Sequence, residues 1–217
     1  FIDQSKNYRV IFYDKVFGTY ILAGVFVTIA FKQLNLYLAV YVKEHVPAQI
    51  IFLWKGWSIE LSSMEVFGWM MGLNGLMFVL CVLPITKWFE HWSDRDTLVL
   101  SSFIFGFGMF LVGFTSNVWF LLLFTMIFTI GEILNAPASS SFVSKYAPKE
   151  ARGQYMGASN LQYSVGKFVA PLAVIISTWI PSIGVFGFIF ICTLISAFLY
   201  VKLFRMISSD KAISLIE

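Results

Sequence analysis

Apolar residues run along the chain in six long stretches, at roughly 16–42, 64–86, 98–115, 118–142, 157–179 and 185–204, with mostly short polar connections between them. Each is long enough to cross a bilayer as a helix, and none shows the ten-residue alternation of a membrane barrel strand. Lipid offers backbone groups no hydrogen bonds, so a spanning segment that is not a closed barrel must be helical. The pattern therefore predicts an all-α membrane protein with one bundle of six transmembrane helices. Ser62-Ser63-Met64-Glu65 reads as a capping box that starts the second span. The stretch 43–63 is the one long connection. Two short apolar runs flank Lys55-Gly56, which suits a small hairpin at the membrane surface, with Trp54 and Trp57 in the interfacial aromatic belt. Such a hairpin is either a plain interfacial loop or a substrate lid.

Composition sharpens this picture. Only 12% of the 217 residues are charged while 59% are apolar, against about 25% charged in soluble domains. Soluble, secreted and nucleic-acid-binding readings fall away, and no nucleic-acid partner is expected. Placement of the cations then sets orientation. Lys6, Arg9, Lys15, Lys87, Arg95, Lys145, Lys149, Arg152, Lys202, Arg205 and Lys211 make eleven on one side, against Lys43 and Lys55 on the other. Both ends of the segment are thus expected in the cytoplasm, with the protein in the cell membrane. Residues 1–15 read as the end of a cytoplasmic linker, 16–204 as the bundle and 205–217 as a cytoplasmic tail. The opening Phe1 suggests a piece of a longer protein. Cys81 and Cys192 lie in apolar runs, so neither a disulfide framework nor a metal site is expected.

Three charged residues fall near the middle of spans: Lys32 in the first, Glu132 in the fourth and Lys167 in the fifth. A mid-bilayer charge costs about 2.5–3.5 kcal/mol on insertion scales, so these spans should face protein or water. The third and sixth carry no such charge and can face lipid; the second offers Asn74. Helical spacing groups Thr28, Lys32 and Asn35, with Gln33 beside them, on one face of the first span. It does the same for Thr125, Thr129, Glu132, Asn135 and Ser139, and for Asn160, Tyr163, Ser164, Lys167 and Pro171. Three polar stripes most simply line one hydrated cavity. Glu132 and Lys167 read as a proton-coupling pair, or as a buried ion pair that only fixes helix register. Pro137 and Pro171 free the carbonyls of Ile133 and Lys167. Gly68/Gly72, Ser102/Gly106 and Gly166/Ala170 have the small-xxx-small spacing of close helix contacts. The chain has no phosphate-binding glycine loop, no HExxH and no CxxC. His45 and His91 read as interfacial, no nucleophile has an adjacent base, and an enzyme is not expected.

The run Gly131-Glu132-Ile133-Leu134-Asn135-Ala136-Pro137, followed by Tyr146-Ala147-Pro148-Lys149-Glu150-Ala151-Arg152-Gly153-Gln154-Tyr155-Met156-Gly157, resembles the tenth helix, loop and eleventh helix of the major facilitator superfamily. The likeness is to bacterial drug:proton antiporters. Gln33-Leu34-Asn35-Leu36-Tyr37-Leu38-Ala39-Val40-Tyr41 resembles that group's seventh helix. The resemblance implies helices seven to twelve, the C-terminal half of a twelve-helix transporter whose N-terminal six-helix half is a partner outside this chain. It also implies a conformational latch at Asp94, Arg95 and Arg152, with Asp94 near the start of the fifth span. Of the family's cytoplasmic loop motif only Asp94-Arg95 is kept, and Lys32 is unexpected in an exporter of cationic drugs.

The expected function is export of lipophilic drugs or other small amphipathic molecules by proton-coupled alternating access. Glu132 and Lys167 would couple protons, and Lys32, Gln33, Asn35, Asn135, Asn160 and Tyr163 would line the substrate cavity. The expected partners are a small-molecule substrate, protons and the lipid bilayer, with no cofactor. The Gly-Glu-…-Pro segment also resembles proton-coupled peptide transporters, so import of peptides or small polar solutes is the alternative. A non-transporting membrane scaffold is the second alternative.

Overall fold

The computed structural model describes residues 11, 13–54 and 57–213. Expectations about the other positions, including Lys6, Arg9 and the Lys55-Gly56 turn, lie outside the described residues, as do those for the side chains of Trp54 and Trp57. The first span is α1 (Lys15–Lys32) and α2 (Tyr37–His45), and the second is α3 (Ser63–Trp88). The third is α4 (Asp94–Val112) and the fourth α5 (Val118–Tyr146). The fifth is broken into α6 (Arg152–Ser159), α7 (Leu161–Val169) and α8 (Leu172–Ile176), preceded by a 3₁₀ turn at Lys149–Ala151. The last span is α9 (Ser182–Ile213), whose helix runs on past 204 through most of the stretch expected as a tail.

Local chemistry explains the ends and the breaks. Ser62 and Glu65 form the expected capping box: the Ser62 amide donates to Glu65 Oε2 at 2.8 Å, and the Glu65 amide to Ser62 Oγ at 3.4 Å. Ser93 caps α4 by accepting from the Asp96 amide, and Asn117 caps α5 by accepting from the Trp119 amide. The first span breaks over residues 33–36, where successive amides turn back three residues, from Gln33 to the Ala30 carbonyl through to Leu36 and the Gln33 carbonyl. Such tight turns mark a discontinuity in an α-helix. Pro171, with no N–H to offer, separates α7 from α8. Pro137 lies within α5 without ending it.

Between the first and second spans, β1 (Gln49–Trp54) and β2 (Trp57–Leu61) form the expected antiparallel hairpin. Its register slips between Ile50↔Glu60 and Phe52↔Ile59, leaving Ile51 as a bulge. Gln49 fastens it to the α4–α5 turn, donating to the Ser116 carbonyl and accepting from the Val118 amide.

The helices pack as an arc in the order α3, α5, α4, α9, α1, α7, with α2 leaning on α3. Glycines permit the closest approaches. A Cβ at Gly131 would lie 2.7 Å from the Ser101 carbonyl oxygen, and one at Gly108 would lie 2.7 Å from the Phe128 nitrogen. Of the expected small-residue contacts, Gly106 meets Thr193 of α9 and Gly166 meets Thr28 of α1, whereas Gly68 and Gly72 face open space. On the expected lipid-facing spans, the Phe107 and Phe190 rings lie 6.4 Å apart across the α4–α9 seam, and Phe107 is exposed. The span least covered within the chain is nevertheless α3, whose Trp69, Leu76, Val79, Leu80 and Leu83 are exposed.

The buried apolar residues fall into two cores. One joins α2, the C-terminal part of α4 and the N-terminal parts of α5 and α9; the other joins the N-terminal part of α1, the C-terminal part of α5, α6 and the far part of α9. Between them runs a layer of polar side chains: Thr28 on α1, Ser101 and Ser102 on α4, Thr129 and Asn135 on α5, and Thr193 and Ser196 on α9. In this layer Ser101 and Ser102 satisfy themselves locally on the Leu98 carbonyl, whereas Ser196 donates across to the Ala23 carbonyl of α1.

Candidate functional site

Glu132 sits half-buried on α5 at the level of this polar layer. Asn74, the one polar residue midway along α3, reaches across: its Nδ2 donates to Glu132 Oε2 at 3.0 Å and to Thr129 Oγ1 at 3.0 Å. Thr129 in turn donates to the Thr125 carbonyl at 2.6 Å. The cation whose charge acts on Glu132 is Lys32, half-buried at the end of α1, where the first span breaks. Among the described residues, the ion pairs within 4 Å are Lys145 with Asp94 and Arg95 with Asp96. Lys167 is exposed and in neither, so the expected Glu132–Lys167 pair is absent from this conformation. The reason lies one residue back. Gly166 turns toward α1 to meet Thr28, and the next side chain along a helix points about 100° away.

The remaining cavity candidates are dispersed. Gln33 is fully buried; its Nε2 donates to the Ile29 carbonyl at 3.1 Å and to the Ala170 carbonyl at 2.9 Å. It thereby staples the break in the first span to the break in the fifth. Asn35 is exposed. Asn135 is buried toward α4, donating to Ser101 Oγ at 3.1 Å, so the polar stripe of the fourth span divides between two neighbours. Asn160 and Tyr163 do come together, in a cleft of about 270 Å3 lined also by Tyr20, Ser139 and Gln162.

Asp94 accepts both contacts from Lys145 Nζ, at 2.9 and 3.1 Å, at the C-terminal end of α5. The partner the structure gives Asp94, expected near the start of the fifth span, is thus the end of the fourth. Arg95 reaches only Asp96, at 3.9 Å, and Arg152 is exposed. The bridge stands beside a cavity of about 490 Å3 between α3, α4 and α5, which also holds Lys87, Glu90 and Pro137.

Sequence reasoning missed a second cluster. Asp14 caps α1 by accepting from the Phe17 amide at 2.9 Å, and accepts from the hydroxyls of Tyr146 and Tyr155 at 2.9 and 3.0 Å. An Asp just before an apolar run was the available signal for the cap; the two tyrosines gave none.

Known proteins share this architecture. The family model described as Major Facilitator Superfamily matches residues 16–213. The chain is 32% identical over 211 residues to a Na(+), Li(+), K(+)/H(+) antiporter of Planococcus maritimus, covering 94% of this chain and 48% of that protein. It is 28% identical over 124 residues to the multidrug resistance protein MdtH of Blochmanniella pennsylvanica, 57% of this chain and 30% of that one. It thus spans about half the length of the antiporter and less of MdtH. Among solved structures, a POT family transporter in complex with a thioalcohol-conjugated peptide has TM-score 0.70 at 18% identity, over 91% of this chain and 41% of that one. Another, with 5-aminolevulinic acid, has TM-score 0.67 at 19% identity, over 84% and 39%. At these identities the two structures share the fold.

Proposed function

The chain belongs to the Major Facilitator Superfamily, and from that premise we propose that it is the C-terminal half of a proton-coupled secondary transporter. In this reading it exports lipophilic or other small amphipathic molecules by alternating access, and both ends of the segment are cytoplasmic. One observation carries the proposal: a half-buried carboxylate, Glu132, at the level of the polar layer, held by Asn74 and within the field of Lys32. An intramembrane ionisable group is expensive to keep, and it is a functional site by default. Proton entry from one side and release to the other would let Glu132 move charge through the cycle. One proton crossing about 100 mV releases ~2.3 kcal/mol, enough for a roughly fifty-fold gradient of neutral substrate at about 1.4 kcal/mol per tenfold. The cleft at Asn160 and Tyr163, lined by hydroxyls and amides, is the surface offered to the substrate.

Glu132→Gln keeps size and hydrogen bonding but removes the charge cycle. Proton-driven transport in vesicles should fall to background while the variant still inserts and elutes as folded protein. Full transport by this variant under a pH gradient would exclude Glu132 from coupling.

A second reading is exchange of a monovalent cation for protons, favoured by the Planococcus maritimus relative, which aligns over 94% of this chain. The same carboxylate would serve. Import of peptides gains no support beyond the shared fold, and a scaffold has no use for a charge kept at mid-span.

A further inference from the structure

Resting on that second reading, we propose that Glu132 Oε2, Thr129 Oγ1 and the side-chain oxygen of Asn74 form a site for a dehydrated monovalent alkali cation, which competes with the proton for Glu132. The Asn74 nitrogen stands 3.0 Å from Glu132 Oε2 and 3.0 Å from Thr129 Oγ1. Both neighbours act as acceptors here. The Thr129 hydroxyl proton is committed to the Thr125 carbonyl at 2.6 Å, so its lone pairs face Asn74. A positively polarised amide nitrogen thus fills a point bracketed by two oxygens on one helix. Turning the amide by half a turn about its terminal torsion, which is broad and two-fold, replaces that nitrogen with an oxygen. That oxygen then stands 3.0 Å from each of the other two, so the three oxygens form one face of a coordination shell of the kind hard cations prefer. Oxygen bonds to a hard cation run at about 2.3–2.6 Å, long enough for an ion to rest against that face.

Charge favours a single positive charge. One carboxylate faces the point, and among the described residues no group of three His, Cys, Asp or Glu could hold a metal ion. Lys32 is the cation acting on Glu132, and it serves as a tethered counter-ion while the site holds no other. The exchange balances simply. The protonated Glu132 carboxyl gives its proton to a water molecule as the alkali cation binds the resulting carboxylate, and the reverse step reloads the proton. Glu132 and Asn74 are both half-buried, which leaves a route for the ion.

The test is proton release from vesicles loaded with a pH-sensitive dye, on addition of Na+, Li+ or K+ to the full-length protein. Wild type should respond saturably. Thr129→Val and Asn74→Leu should each raise the half-saturating cation concentration about 10-fold or more, whereas Asn74→Asp, which keeps an oxygen at the point, should still respond. Cation-dependent thermal protection of the purified variants gives a second readout that needs no transport. An alkali response that all three variants leave unchanged would overturn the site while sparing cation–proton exchange. A wild type that releases protons to organic ammonium ions but to no alkali cation would overturn the alkali assignment. A wild type that responds to neither would refute the exchange reading itself.

Discussion

Glu132 is surrounded by the minimum that keeps a carboxylate at mid-bilayer: one amide donor from Asn74 and one cationic side chain, Lys32. Lys167 is equally mid-span by sequence, yet it is exposed while its neighbour Gly166 meets α1. The two lysines should therefore behave differently. In a double-mutant cycle on thermal stability, Lys32→Met and Glu132→Gln should be non-additive by about 0.5 kcal/mol or more, because the Lys32 charge acts on the half-buried Glu132 carboxylate. Lys167→Met and Glu132→Gln should add within roughly 0.5 kcal/mol. Transport measured alongside should fall in Lys32→Met and persist in Lys167→Met. Coupling to Lys167 in place of Lys32 would mean that another conformation, with the fifth span rotated, dominates in the membrane.

At the scale of elements, one side chain ties together the breaks of two discontinuous spans. Gln33 supplies donors to the Ile29 and Ala170 carbonyls, one on each side of the α1–α8 junction. Gln33→Leu removes that donor from both carbonyls, of which the Ala170 carbonyl keeps the Ala173 amide, at a cost of about 1 kcal/mol for each hydrogen bond lost. The apparent unfolding temperature in detergent should drop accordingly, and an unchanged value would show that water or a neighbouring amide replaces the staple. Gly131→Ala tests the α4–α5 seam in the same assay, since its Cβ would press on the backbone at Ser101 and Phe105; overpacking of this kind costs typically about 1–3 kcal/mol. Much of this level was legible in the chain. The six apolar stretches, the Ser62 cap and the hairpin at 49–61 followed from pattern, and Pro171 announced one break. The break at 33–36 has no proline or glycine to announce it. Nor does helical spacing say how one helix is rotated against the next, which is why Glu132 found Lys32 and Asn135 turned to Ser101. Asn74 stood out as the one polar residue midway along its span, but only packing shows that it reaches Glu132.

For the whole molecule, the distribution of cations along the sequence predicts which way the bundle sits. Eleven of the Lys and Arg residues fall in connections of one parity and two in the others, with Lys32 and Lys167 inside spans. Short loops rich in Lys and Arg stay in the cytoplasm as a rule, which would put the Asp94–Lys145 bridge and the Asp14–Tyr146–Tyr155 cluster at the inner end. The hairpin fastened to the α4–α5 turn by Gln49 would then stand at the outer end. Single cysteines decide the matter. Glu60 on the hairpin and Glu150 between the fourth and fifth spans are both exposed, so a thiol at either is free to react once reagent reaches it. With Cys81 and Cys192 replaced by Ser to remove background, a membrane-impermeant maleimide added to intact cells should label Glu60→Cys. It should label Glu150→Cys only after the cells are permeabilised. The reverse pattern would invert the bundle, and with it the side from which protons reach Glu132. Labelling of both positions in intact cells would require an even number of spans between them, against the three, the second, third and fourth, that separate them here.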